Sequence, residues 1–354
     1  MRRATDGGEP RPTRKCAPQS DHEYAEVLTL RYALGVDGGG SKCDAVLIAE
    51  DGTVAGRGRG GPTHHWYSSP EVIAASFADA LAGALDGITG AQLWVAGHFH
   101  SHAAREALEA AGEVVGWVRG GEIGAAYACA GETWGMILLS GTGAFVHLRT
   151  PDGRSVHTGG LGPVLGDYGS GHDIGLKGLR AAFAGTWLDS RATSLREAIP
   201  AALGVATLKQ VFELVYEDHV MDRRRIASLA RTVNDEAEAG DVIARRCIVE
   251  AADEQAQFAI EVIEQLDRGG DLTSSEMPVI ASGSVAQGCR IWWEHICERL
   301  REVVPHMRPI IPQVRPVVGA ALLALREMGV ELTPKLLDRI VETQARYFAV
   351  ENDA

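Results

Sequence analysis

Asp37 is followed by Gly38-Gly39-Gly40-Ser41-Lys42, so one carboxylate stands beside three residues without side chains. That combination suits a polyphosphate and its cation. Glycine reaches positive φ and lets backbone N–H groups approach an anion closely, and Asp37 could hold a hydrated divalent ion next to them. The order is not that of a Walker loop, in which Gly-Lys-Ser/Thr opens a helix. Here Ser41-Lys42 run the other way, into the apolar Ala45-Val46-Leu47-Ile48. The parse is strand, glycine turn, strand, with a plain hairpin as the alternative reading of any single such turn.

The device recurs about a hundred residues later. Met136-Ile137-Leu138-Leu139 leads into Ser140-Gly141-Thr142-Gly143, and Ala144 to Leu148 leads out. A second turn follows each copy, Asp51-Gly52 in the first and Pro151-Asp152-Gly153 in the second, so each reads as two successive hairpins. Two similar units imply duplicated halves that face one another and point two phosphate loops into one cleft.

The elements around these turns alternate. Pro70 to Leu81 has helical period with Pro70 in its first turn, Ala91 to Gly97 reads as a buried strand, Ala103 to Ala111 as a helix and Glu113 to Val118 as a strand. Such alternation predicts an α/β sheet with crossover helices. The later chain is mostly helical, over 174–183, 192–199, 208–215, 226–237, 241–266 and 292–304. Among these helices Pro278 to Ser282 reads as a buried strand. It ends at Gly283-Ser284, either a seat for adenine or ribose against backbone or a tight strand-to-helix packing turn. A short helix of small residues is predicted at Val317 to Ala324.

At 354 residues, with 45% hydrophobic content and 42 glycines, the chain suits a two-domain α/β enzyme. The formal charge of -13 argues against a nucleic-acid surface and against an anionic membrane. Six cysteines, at 16, 43, 129, 247, 289 and 297, form no C-x-x-C pair and no metal-type spacing. They read as free thiols in a reducing compartment, so a cytoplasmic setting is expected. No apolar run approaches membrane-span length, and residues 1–30, rich in Pro, Gly and charge, read as a disordered tail or an overcalled start. His98, His100 and His102 alternate and, on one strand, would share a face that a metal could use; capping a strand at the cleft rim is the plainer reading.

From Tyr32 to Gly329 the chain resembles the N-acetylglucosamine kinase and BadF/BadG/BcrA/BcrD-type ATPases of the actin-like ATPase and sugar-kinase superfamily. The residues carrying the resemblance are Asp37 to Ser41, Ser140 to Gly143, the loop Gly159-Gly160-Leu161-Gly162-Pro163-Val164-Leu165-Gly166-Asp167-Tyr168-Gly169-Ser170-Gly171, and Ser282-Gly283-Ser284. The resemblance implies a two-lobed, ribonuclease H-like fold with an interdomain cleft: a lobe over 31–132, and a second over 133–349 carrying a helical insertion. It implies ATP and Mg2+ as cofactors, with Asp37 as catalytic residue and metal ligand. Gly38, Gly39, Gly40, Ser41, Lys42, Ser140, Gly141, Thr142 and Gly143 would hold phosphates, and Gly283, Ser284 and the Gly319 helix would bracket the adenosine. A sugar would lie among Thr63, His64, His65, Trp66, Gly159, Gly160 and Asp167, although Trp66 also reads as a half-buried core residue.

The same resemblance makes Glu122 the general base, at the place where the family has aspartate. His64 stands for a usual asparagine, Leu161 for a tryptophan, and Tyr168 for the acidic residue after the loop aspartate. The nucleotide half is thus intact and the sugar half altered. The reading favoured is ATP-dependent phosphorylation of an amino sugar, N-acetylglucosamine or glucosamine. A BadF-type ATPase that drives a partner protein is the alternative, disfavoured because no cysteine pattern suits a bridging iron–sulfur cluster; a weakly active sugar sensor is another. The expected partner is a small-molecule sugar, with no nucleic acid and no membrane, and a homodimer stays open.

Overall fold

The computed structural model describes residues 30–348, apart from 41, 66–67, 98–101, 119–120 and 268. The buried run Tyr32–Val36 forms most of β1 (Arg31–Gly38), which turns back antiparallel as β2 (Cys43–Ala49) and again as β3 (Val54–Gly60). Helix α1 (Pro70–Ala84) starts where Ser69 accepts a hydrogen bond from the Val72 amide, with Pro70 in its first turn. Then come β4 (Ala91–Ala96), α2 (His102–Ala111), β5 (Gly112–Val118) and α3 (Glu122–Ala130).

The pattern then repeats with β6 (Gly135–Ser140), β7 (Ala144–Arg149) and β8 (Ser155–Gly159). A helical excursion follows: α4 (Gly171–Ala184), α5 (Leu195–Ala202), α6 (Leu208–Tyr216), α7 (Arg223–Glu238) and α8 (Val242–Leu266). It returns through β9 (Pro278–Ser282), α9 (Ser284–Gly288), α10 (Arg290–Arg301) and β10 (Arg308–Ile310), and the chain closes with α11 (Pro316–Glu327) and α12 (Pro334–Phe348). The sheets have orders β3-β2-β1-β4-β5 and β8-β7-β6-β9-β10, antiparallel over the first three strands and parallel over the last three. Two five-stranded sheets of one topology are the duplicated halves expected from the turns.

In β3 the residues facing α1 are Gly56, Gly58 and Gly60. A Cβ on them would stand 2.1, 1.9 and 1.9 Å from the carbonyl oxygens of Ala84, Ala80 and Ser76. Small residues four apart on the helix thus meet glycines two apart on the strand, and the helix backbone rests on the sheet. The arginines between the glycines, Arg57 and Arg59, point the other way and reach Asp44.

Each half ends in a helix that crosses to the other sheet. Ala126 and Tyr127 of α3 pack with Ile137, Leu139, Phe145 and Ile280 of the second sheet. Val317, Val318 and Ala321 of α11 pack with Ala33, Val46 and Val54 of the first. The two helices cross at Gly319, where a Cβ would lie 2.3 Å from the Ala125 carbonyl. Helix α12 also belongs to the first sheet: the Tyr347 hydroxyl donates to the Ala55 carbonyl at 2.9 Å, and Arg57 donates to the Tyr347 carbonyl at 2.6 Å. With the chain divided at residue 132, α11 and α12 of the 133–349 segment therefore pack on the first sheet, and α3 from before the division packs on the second. The second core surrounds α8, and the fully buried Trp292 on α10 donates through Nε1 to the Gly169 carbonyl at 3.0 Å.

Candidate functional site

Between the sheets lies a cavity of about 530 Å³ lined by both glycine turns, Glu122, Asp167 and Arg223. On the first side, β1 and β2 pair Asp37 with Asp44, and the turn beyond closes through the Gly39 amide donating to the Lys42 carbonyl at 2.8 Å. Lys42, Arg57 and Arg59 surround Asp44 at 2.7, 3.3 and 2.8 Å. Burial works against ionising Asp44, but the bonds from Arg59 and Lys42 prevail and hold its carboxyl below the usual range. Asp37 is pushed the other way, first by burial and then by the charge of Asp44, with Lys42 only partly offsetting them. A carboxylate in that position gains from a divalent cation. Among the described residues no group of three or more His, Cys, Asp or Glu could cage a metal alone, so the donor set fits an ion such as magnesium that takes its remaining ligands from phosphates and water.

On the second side, Gly141, Thr142 and Gly143 line the cleft, with the Gly141 amide donating to the Gly143 carbonyl at 2.9 Å. Ser140 does not. It is fully buried and its hydroxyl donates to the Gly169 carbonyl at 2.7 Å, tying the strand end to the glycine-rich loop. Gly283 has φ +86°, and a Cβ there would stand 2.4 Å from the Ser140 carbonyl. Only glycine lets the β9–α9 turn lie so close to the second glycine turn. Gly283, Ser284 and Gln287 follow it along the cavity wall.

Glu122 opens α3 and reaches the cavity from the crossing helix. Solvent meets it through the open cleft, yet protein surrounds its carboxyl. Burial and then the charge of Asp37 push its pKa up to about 7. Asp167 has left-handed backbone, φ +60°, which aspartate adopts more readily than most residues but still at some cost. Its buried carboxylate accepts from Arg223 at 2.8 Å.

The structure gathers Asp37, Gly38, Gly39, Gly40, Lys42, His64, Glu122, Gly141, Thr142, Gly143, Gly160, Asp167, Gly283 and Ser284 around the cavity. Thr63 instead braces the first turn from behind, its amide donating to the Gly39 carbonyl at 3.0 Å. His65 is exposed and stacks on His64 with ring centroids 5.1 Å apart. Gly159 faces a neighbouring cavity of about 210 Å³ floored by Phe145, Tyr168 and Phe258. Gly319 is spent on the helix crossing, and Arg315, Pro316 and Val317 line the cleft in its place. Ser41 and Trp66 lie outside the described residues, as do His98 and His100; His102 begins α2 rather than continuing a strand. Arg223 went unpredicted. Its signal was Arg223-Arg224-Arg225 on the first turn of a helix, where the macrodipole disfavours cations.

Residues 34–324 match the BadF/BadG/BcrA/BcrD ATPase family. The chain belongs to that family. Membership implies use of ATP. Over 193 residues, 54% of this chain, the sequence is 28% identical to an N-acetylmuramic acid/N-acetylglucosamine kinase of Clostridium acetobutylicum. Over 195 residues, 55% of the chain, it is 27% identical to an N-acetyl-D-glucosamine kinase of Dictyostelium discoideum. The aligned stretches span 61% and 60% of those relatives. In fold, the chain is similar to a candidate N-acetylglucosamine kinase from Chromobacterium violaceum, with a TM-score of 0.56 and 22% identity over 84% of this chain and 99% of that one. The α/β architecture of two five-stranded sheets in this BadF-type protein is thereby shared with that structure. No helix among the described residues is long and apolar enough to cross a membrane.

Proposed function

We propose that this BadF-type protein is an ATP-dependent kinase of an amino sugar, N-acetylglucosamine or glucosamine. The observation that carries the reading is a single cleft lined by Glu122, Asp37 and two opposed glycine turns. Phosphoryl transfer asks the protein chiefly for positioned donors and an oriented hydroxyl. The turns Gly38–Gly40 and Gly141–Gly143 supply the donors, Gly283 and Ser284 seat the adenosine, and Glu122 faces the acceptor. A magnesium ion on Asp37, when bound, would neutralise charge on the β- and γ-phosphates. In the step itself the sugar hydroxyl oxygen bonds to the γ-phosphorus and the bond to the β,γ-bridging oxygen breaks. The hydroxyl proton passes to the Glu122 carboxylate and the electron pair leaves on ADP.

His64 supports a sugar on the first-lobe side. Burial, then the charges of His65 and Arg223, lower its pKa, which leaves a neutral ring able both to donate and to accept at neutral pH. The names of the curated relatives support the acceptor class. The test is ADP release with ATP and Mg2+ against N-acetylglucosamine, glucosamine, N-acetylmannosamine, N-acetylmuramic acid, glucose and no sugar. A rise of tenfold or more with one amino sugar is expected. Equal release in every well would overturn the kinase reading in favour of an ATPase that drives a partner, and no release in any well would leave a binding protein.

A further inference from the structure

Helix α7 belongs to the second lobe, packed so tightly on α4 that a Cβ on Gly175 would stand 2.0 Å from the Ile226 carbonyl. Its first turn nevertheless spans the cleft. Arg224 donates from Nε and Nη2 to the Gly40 carbonyl of the first turn, at 3.1 and 2.8 Å. Arg223, one residue earlier, pairs with Asp167 and lines the cavity with both turns: a Cβ on Gly143 would stand 2.5 Å from its Nη2, and one on Gly40 would stand 3.7 Å from its Nη1. The guanidinium therefore lies between the two loops that face each other across the cleft. Asp167 accepts backbone strain and burial to hold it there, and two successive arginines occupy a helix start against the macrodipole.

We infer that Arg223 is a γ-phosphoryl-contacting residue, anchored by one carboxylate oxygen of Asp167. The inference rests on the kinase reading only in placing a triphosphate between the turns. A planar fork can grip phosphate oxygens bidentately while its far edge stays on a carboxylate. Charge that develops on the transferring group is then met by a cation already in position.

The experiment compares binding of ADP and of AMPPNP, each with Mg2+, by calorimetry in wild type, Arg223→Gln and the double variant Arg223→Gln/Asp167→Asn. The double variant leaves no buried carboxylate unpaired and keeps the test open if the single one folds poorly. Wild type is expected to prefer AMPPNP over ADP, and both variants to lose that preference by tenfold or more while ADP affinity stays within threefold. Where a sugar drives turnover, kcat should fall by about 10²–10³-fold, at or below the lower end of arginine-finger effects. An unchanged AMPPNP-to-ADP ratio in the variants would overturn the inference, as would a loss confined to sugar affinity. A lost ratio in a protein that no sugar activates would uphold it while the kinase reading fails.

Discussion

His147 sits on β7 with its ring buried between Tyr127 of α3 and His157 of β8, at centroid distances of 6.1 and 5.9 Å. Neither ring nitrogen has a hydrogen-bond partner. Burial first, then the charges of His157 and Arg149, take its pKa from 6.5 to about 4. In the unfolded chain the ring protonates as pH falls through 6.5, but the folded protein refuses the proton until about 4, so stability drains away between those values and is flat outside them. At 1.36 kcal/mol for each pH unit the full loss is about 3 kcal/mol. His147→Leu removes the titration and leaves an apolar ring-sized contact. Urea unfolding of both proteins at pH 7.5 and 4.5 reads most of the difference: wild type should lose about 2.5 kcal/mol more than the variant over that span. If the two lose stability in parallel, the ring is not held neutral by burial and the reasoning fails.

Sugar-dependent kcat/KM should rise with pH through about 7, because Glu122 stands above its ordinary 4.5 and is ionised only beyond that point; Glu122→Gln should lower turnover by 10²–10⁴-fold while sparing AMPPNP binding. Asp37→Asn should abolish the magnesium dependence of AMPPNP affinity and leave magnesium-free ADP binding alone, as calorimetry with and without EDTA will show. Ser140→Ala should reduce stability by about 1 kcal/mol in a denaturant melt without changing nucleotide affinity, since its hydroxyl bonds the Gly169 carbonyl and not the ligand side. Gly58→Ala should cost about 1–3 kcal/mol in the same assay, because the new methyl meets the Ala80 carbonyl.

The two hairpins and their sheets were legible because a glycine turn between two apolar runs leaves the chain little choice. The buried strand ending at Gly283 was legible for the same reason. Ser140 was not, since sequence shows a hydroxyl beside a phosphate turn but not the direction it takes from the strand end. Asp167 lines the cavity, yet its partner Arg223 is 56 residues away, and no local pattern links a loop aspartate to the start of a distant helix. Gly319 announced a close approach; whether to nucleotide or to helix depended on a crossing between halves that no single stretch encodes.

The crossing helices also fix an order of events during synthesis. From α3 through β10 the second lobe is continuous, and all of its layers are available once residue 310 has left the ribosome. The first sheet is made earlier but stays bare on the face that Ala33 and Val46 present, until α11 and α12 arrive as the last described elements of the chain. The half that is born first is therefore the half that is finished last, and truncation before residue 316 would deprive it, rather than its neighbour, of a covering layer.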